Sequence, residues 1–98
     1  MSFLTSKEIQ QVMLTVYSKS NCPFCDKAKY LLNQKGIQFN EVRVDQDSEA
    51  RTFIVNEGHR TVPQIYKNGK LFVEGGYQGL ANLDESVFQE LKEDVNAN

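Results

Sequence analysis

Apolar and polar positions along this chain repeat with periods that change from block to block, and the changes mark its elements. Met13-Leu14-Thr15-Val16-Tyr17 is rich in large and β-branched residues and predicts a strand. After it, Cys25, Ala28 and Leu32 fall at i, i+3 and i+7, the stripe of a helix with one face on a core. Pro23 suits the first position of that helix, because it has no N–H to leave unpaired and its φ is already helical. Gly36 after Lys35 predicts a left-handed cap at the other end. Residues 37–44 contain a second strand whose alternation changes phase between Phe39 and Val42, which predicts an edge or a bulge. Asp47 or Ser48 caps the next helix, with Ala50, Phe53 and Ile54 as its apolar stripe and Gly58 as its end.

The second half reads differently. Residues 64–67 and 70–74 flank Asn68-Gly69, a hairpin signal. Gly75-Gly76 marks a tight bend or a close backbone approach. Leu80, Leu83, Val87, Phe88 and Leu91 keep a 3.6-residue period and predict one last helix, fraying from Asp94 onward. At the other end, Thr5 and Glu8 have capping-box spacing and Leu4 and Ile9 that of a hydrophobic staple, so a short helix is predicted over about residues 6–11. The order is β-α-β-α-β-β-α after that helix, and its opening implies a parallel pair joined by a right-handed crossover.

Composition narrows this little. Ninety-eight residues predict a single domain over 1–98, with its core in about 12–92 and no need of a staple. Eleven basic against thirteen acidic residues, net −2, point away from nucleic acid and anionic membranes. No apolar run approaches the ~18 residues of a membrane span. The first residues, Met1 to Glu8, lack the basic and apolar regions of a signal peptide, so the expected location is cytoplasmic.

The candidate chemistry lies where the first strand gives way to the first long helix. Cys22 and Cys25 are the only cysteines, spaced Cys-x-x-Cys. Cys22 precedes the first turn, where unpaired N–H groups and the helix dipole favour a thiolate. A free thiol of pKa ~8.5 is only about 3% ionised at pH 7, and a helix start with a nearby cation lowers that pKa to roughly 3.5–7.5. Lys19 supplies the cation, while Asp26 opposes it from the first turn. The lower pKa chiefly improves Cys22 as a leaving group, because nucleophilicity falls as ionisation rises. Cys22 is therefore expected to point outward and attack, and Cys25, on the buried stripe, to resolve. A structural zinc site needs four N or S ligands, and His59 is the only histidine to join the two sulfurs, so no metal is expected. His59 itself, in a polar segment, is expected to be a solvent-exposed loop histidine. A purely structural disulfide closing so short a loop would add little constraint.

This pattern with its motif reads as thioredoxin-like, and along about residues 12–92 the chain resembles the glutaredoxins. Cys22-Pro23-Phe24-Cys25 differs by one hydroxyl from that family's usual Cys-Pro-Tyr-Cys, and Tyr17-Ser18-Lys19, Thr61-Val62-Pro63 and Gly75-Gly76 match in type and order. The resemblance implies a four-stranded mixed sheet with helices on both faces, and a cis peptide between Val62 and Pro63 beside Cys22. It implies glutathione as reductant, with no tightly bound cofactor. Lys19 would meet the glycine carboxylate, and Phe24 would wall the groove. Thr61 and Val62, ahead of Pro63, would pair with the cysteinyl backbone, while Tyr77 and Gln78 would receive the γ-glutamyl end. Cys22 and Cys25 would form the redox-active disulfide of a monomer that reduces protein disulfides and protein–glutathione mixed disulfides, ribonucleotide reductase among the partners.

The sequence departs from the family pattern at two places. After the glycines the family usually has a small or aromatic residue, then Ser, Thr or Asp, then Asp, where this chain has Tyr77-Gln78-Gly79. Ala50 stands where a glutamine or arginine often joins the glycine-carboxylate site, with Arg51 beside it as a substitute. Glutathione binding is therefore expected to be weaker than usual. Two rival readings stay open: a redoxin recharged by thioredoxin reductase, and a module in which two chains share an iron–sulfur cluster through Cys22 and two glutathiones. Pro23 and a resolving Cys25 argue against the cluster, whose specialised carriers usually have Cys-Gly-Phe-Ser.

Overall fold

The computed structural model describes residues 13–96. The short helix predicted over residues 6–11, with its capping and staple residues, lies outside them. In order the elements are β1 (Leu14–Ser18), α1 (Pro23–Gln34), β2 (Asn40–Arg43), α2 (Ser48–Asn56), β3 (Gln64–Lys67), β4 (Lys70–Leu71), α3 (Gly76–Ala81) and α4 (Glu85–Asn96). The strands lie side by side as β2-β1-β3-β4. β1 runs parallel to β2 and antiparallel to β3, which is antiparallel to β4, so the sheet is mixed. β2 is an edge strand, which accounts for its interrupted alternation.

Alternation in β1 assigns the two faces of the sheet. Leu14 and Val16 are buried while Thr15 and Tyr17 are half-covered, and the β3 register sets Ile65 opposite Val16 but Tyr66 opposite Thr15. On the first face Leu14, Val16 and Ile65 meet Ala28 and Leu32 of α1, Leu80 of α3, and Phe88 and Leu91 of α4. Burial of each Leu or Ile there stabilises the fold by about 1.5–3 kcal/mol. On the second face Tyr17, Tyr66 and Phe53 of α2 form a ring cluster with centroids 5.4–5.7 Å apart. Helices thus cover both faces.

Caps end the first two helices as their glycines require. Gly36 (φ +73°) donates its N–H to Asn33 and Ile37 to Leu32, the paired bonds of a Schellman motif. Gly58 (φ +90°) and His59 repeat the arrangement on Val55 and Ile54. The Asp47 side chain accepts the Ala50 N–H at 3.0 Å and caps the start of α2.

Three elements differ from expectation. The last helix is two helices, because the Asp84 carbonyl accepts the N–H groups of Val87 and Phe88 and starts a new one after Leu83. A three-residue turn kept the apolar stripe in phase, so periodicity could not reveal the break. α4 continues through Asn96 rather than fraying at Asp94, which pairs with Lys67 at 3.4 Å. β4 is only two residues long: the chain leaves the edge after Phe72 donates to Ile65, and carries Val73 into the core.

Candidate active site

Cys22 is the N-cap of α1, and Pro23 its first residue, as the sequence predicts. Asn21 enters the cap with φ +56°, a conformation asparagine tolerates better than most residues. The turn before it is held by Ser20, whose N–H and hydroxyl both donate to Asp45. Arg43 donates to the same carboxylate and to the Ser20 hydroxyl. Those contacts keep the Asp45 carboxyl well below the usual range.

The two sulfurs are bonded to each other, with Cα atoms 5.2 Å apart. The Cys25 N–H donates to Cys22 Sγ at 3.2 Å. A free first-turn amide therefore points at the sulfur that would carry negative charge, the stabilisation a helix start offers an anion. Cys25 is fully buried, as its place on the stripe predicts, yet Cys22 is also only 7% exposed. The expected outward Cys22 is corrected: its bond to Cys25 draws Sγ inward, where the Val62 carbonyl oxygen lies 3.7 Å away. Asp26, by contrast, is exposed and 3.8 Å from Lys29, so its charge faces water.

The Val62–Pro63 peptide is cis. Gln64 fixes this loop by donating its side-chain N–H to the Thr61 carbonyl at 2.9 Å. Gly76 must be glycine for a steric reason: with φ +57°, a β-carbon there would lie 2.7 Å from the Pro63 carbonyl oxygen. The glycine pair is thus the close approach its sequence implied, and it docks α3 on the loop that faces Cys22.

Two depressions meet at Thr61 and Val62. The larger, about 630 Å³, is lined by Phe24, Pro63, Tyr77 and Gln78 among others. Phe24 is 50% exposed, its ring 6.1 Å from that of Tyr77, and Lys27 Nζ sits 5.1 Å above it. The smaller, about 390 Å³, is lined by Lys19, Arg51 and Arg60. Lys19 lines the smaller depression, Phe24, Pro63, Tyr77 and Gln78 the larger, and Thr61 and Val62 both, while Cys22 approaches them only through the Val62 carbonyl.

Details change at the glycine end. Gly75 caps α3, and its carbonyl accepts the N–H of Gln78 at 3.2 Å, so Gln78 offers a ligand its side chain rather than its backbone donor. At Gly79 a β-carbon would overlap the Glu74 carbonyl oxygen. An aspartate therefore has no room here while residues 74–79 keep this path.

Lys27, Glu57, Arg60 and Tyr66 escaped the sequence reading as site residues, and His59 was misplaced by it. Lys27 is legible in hindsight as the i+3 neighbour of Phe24 on the helix surface. Arg60 adjoins Thr61, a signal too general to single it out. His59 is the outright correction. Its ring is half-buried, with Nε2 2.8 Å from the Tyr66 hydroxyl, which donates to Glu57 at 2.8 Å. The Schellman turn folds His59 back over β3, an effect of the Gly58 cap that local polarity does not express. Burial, then the Glu57 carboxylate, pushes the Tyr66 hydroxyl up to about 12.

A dithiol at a helix start, one sulfur supported by a backbone N–H and its neighbour beneath it, is the arrangement of thiol–disulfide exchange. The glutaredoxin family model matches residues 14–72, more than half of the chain. This chain belongs to the glutaredoxin family. A probable glutaredoxin of Synechocystis is 44% identical over 71 residues, 70% of this chain and 63% of that protein. Glutaredoxin 3 of Escherichia coli is 39% identical over 70 residues, 70% of this chain and 82% of that one. The crystal structure of the holo form of glutaredoxin C1 from Populus tremula x tremuloides superposes with a TM-score of 0.69 at 25% identity, covering 99% of this chain and 91% of that one. The fold is thioredoxin-like and the family is one of thiol–disulfide oxidoreductases. Among the described residues no helix is long and apolar enough to cross a membrane.

Proposed function

We propose that this glutaredoxin is a glutathione-dependent reductase of protein disulfides and protein–glutathione mixed disulfides. The observation that carries the reading is the pair of depressions joined at Thr61 and Val62 beside Cys22. One end is cationic through Lys19, Arg51 and Arg60, suited to a carboxylate. The middle offers the Thr61–Val62 backbone next to the reactive sulfur, where the backbone of a ligand can pair. The far end has Tyr77 and the Gln78 amide. A tripeptide with a carboxylate at one end and a thiol in the middle fits that sequence of surfaces.

In the reductive half, Cys22 thiolate attacks one sulfur of the substrate disulfide and expels the other as a thiolate, which takes a proton. Cys25 then attacks Cys22 Sγ, releases the second substrate thiolate and leaves the Cys22–Cys25 bond seen here. Two electrons have moved from the dithiol to the substrate. A first glutathione attacks Cys22, the less buried sulfur, and frees Cys25. A second removes the first as glutathione disulfide, and the dithiol is restored. Cys22 leaves readily in that step because the Cys25 N–H stabilises it.

Recharging by thioredoxin reductase is the second reading, and Gly79 favours it. No carboxylate side chain fits there to meet the ammonium of a γ-glutamyl group. NADPH oxidation with a disulfide substrate separates the two. Glutathione with glutathione reductase is expected to support turnover; activity with thioredoxin reductase alone would replace the first reading by the second. Ribonucleotide reductase as partner, a monomeric state and a cytoplasmic location complete the proposal on family grounds.

A further inference from the structure

Tyr66 is 1% exposed, and its hydroxyl has two partners that the exchange mechanism does not use. Its single proton goes to Glu57, because an ionised carboxylate only accepts. The oxygen then accepts from His59 Nε2, which fixes the imidazole as the Nε2–H tautomer. The His59 N–H is tied to the Ile54 carbonyl at 3.1 Å, so both ring and backbone are anchored. His59 lines both depressions, two residues ahead of Thr61.

We propose that Glu57, Tyr66 and His59 form a clip that positions the Arg60–Val62 segment to receive a ligand. The proposal rests on the glutathione reading above, and names positioning residues for it. His59 shares the smaller depression with Lys19, Arg51 and Arg60 and both depressions with Thr61 and Val62, so the clip holds the segment at which the two depressions join.

The test uses the oxidised protein, which has no thiol to titrate, and S-methylglutathione, which cannot exchange. Calorimetric binding of this ligand is compared across the wild type and three variants. His59→Gln, whose amide keeps a donor for Tyr66, should match the wild type. His59→Ala and Tyr66→Phe, which break the clip, should each weaken binding roughly three- to tenfold. Thermal unfolding of each variant shows that it is folded. Unchanged affinity in folded Tyr66→Phe and His59→Ala, or a His59→Gln as weak as His59→Ala, overturns the proposal and leaves the glutathione reading intact. Failure of the wild type to bind S-methylglutathione overturns both.

Discussion

The two faces of the sheet are built from different chemistry. One is mainly aliphatic, with Leu14, Val16 and Ile65 against Ala28, Leu32, Leu80 and Leu91 and the single buried ring of Phe88. The other is aromatic and hydroxyl-bearing, with Tyr17, Tyr66 and Phe53 beside Glu57 and His59. Non-directional packing fixes α1 and so the place of the cysteines; directional hydrogen bonds fix the loop that receives a ligand. Stability should therefore depend most on the first face and ligand affinity most on the second. Cys22 lies at the seam, bonded to the buried Cys25 of one side and touching Val62 of the other.

The largest expected effect is at that seam. Cys22→Ser removes the attacking sulfur and should abolish exchange with every substrate, whereas Cys25→Ser should lose protein-disulfide reduction and keep glutathione exchange. Stopped-flow assays of both variants check this, and a dead Cys25→Ser with an active Cys22→Ser would invert the roles. Next comes Leu32→Ala on the aliphatic face, expected to cost about 2–5 kcal/mol in urea unfolding while the folded fraction keeps its KM. Tyr66→Phe should cost less, about 1–3 kcal/mol, because Glu57 and His59 lose their shared partner, yet raise KM several-fold. If Leu32→Ala moved KM as much as Tyr66→Phe does, the division of labour between the faces would be wrong.

A smaller effect is set by carboxylates that join elements at the surface. Glu41 accepts from Lys29 and from the buried Ser18, and both contacts lower its pKa from the ordinary 4.5. Lys35 does the same for Glu85. A group whose folded value is depressed contributes stability above its unfolded value, and that contribution is lost as pH falls through the folded value. Stability should hold above about pH 4.5 and decline below it. Glu41→Gln should flatten part of that decline and cost about 1 kcal/mol at neutral pH once solvent screening is counted. A thermal-denaturation series against pH for both proteins measures it.

Much of the aliphatic face was legible in the sequence. Cys25, Ala28 and Leu32 announce their stripe by spacing alone, and Pro23, Gly36, Asp47 and Gly58 mark helix ends through local geometry that few other residues satisfy. The cysteine motif and the glycine pair carried enough local chemistry to locate the site. The second face was not legible, because its defining contacts join residues seven and nine apart through a turn whose path a pattern does not encode. Tyr66 reads as a strand residue and His59 as a polar loop residue; only the folded turn makes them partners. The break before α4 escaped for the opposite reason, since the turn there preserved the period on both sides.

Gly79 bears on how this groove can change over generations. Because the Glu74 carbonyl occupies the space a β-carbon would need, Gly79→Asp arriving alone would disrupt the bend before it supplied a charge. A lineage would first have to reroute or shorten residues 72–75, and only afterwards would an acid at 79 be tolerated. The order of those two steps is thus constrained by the backbone.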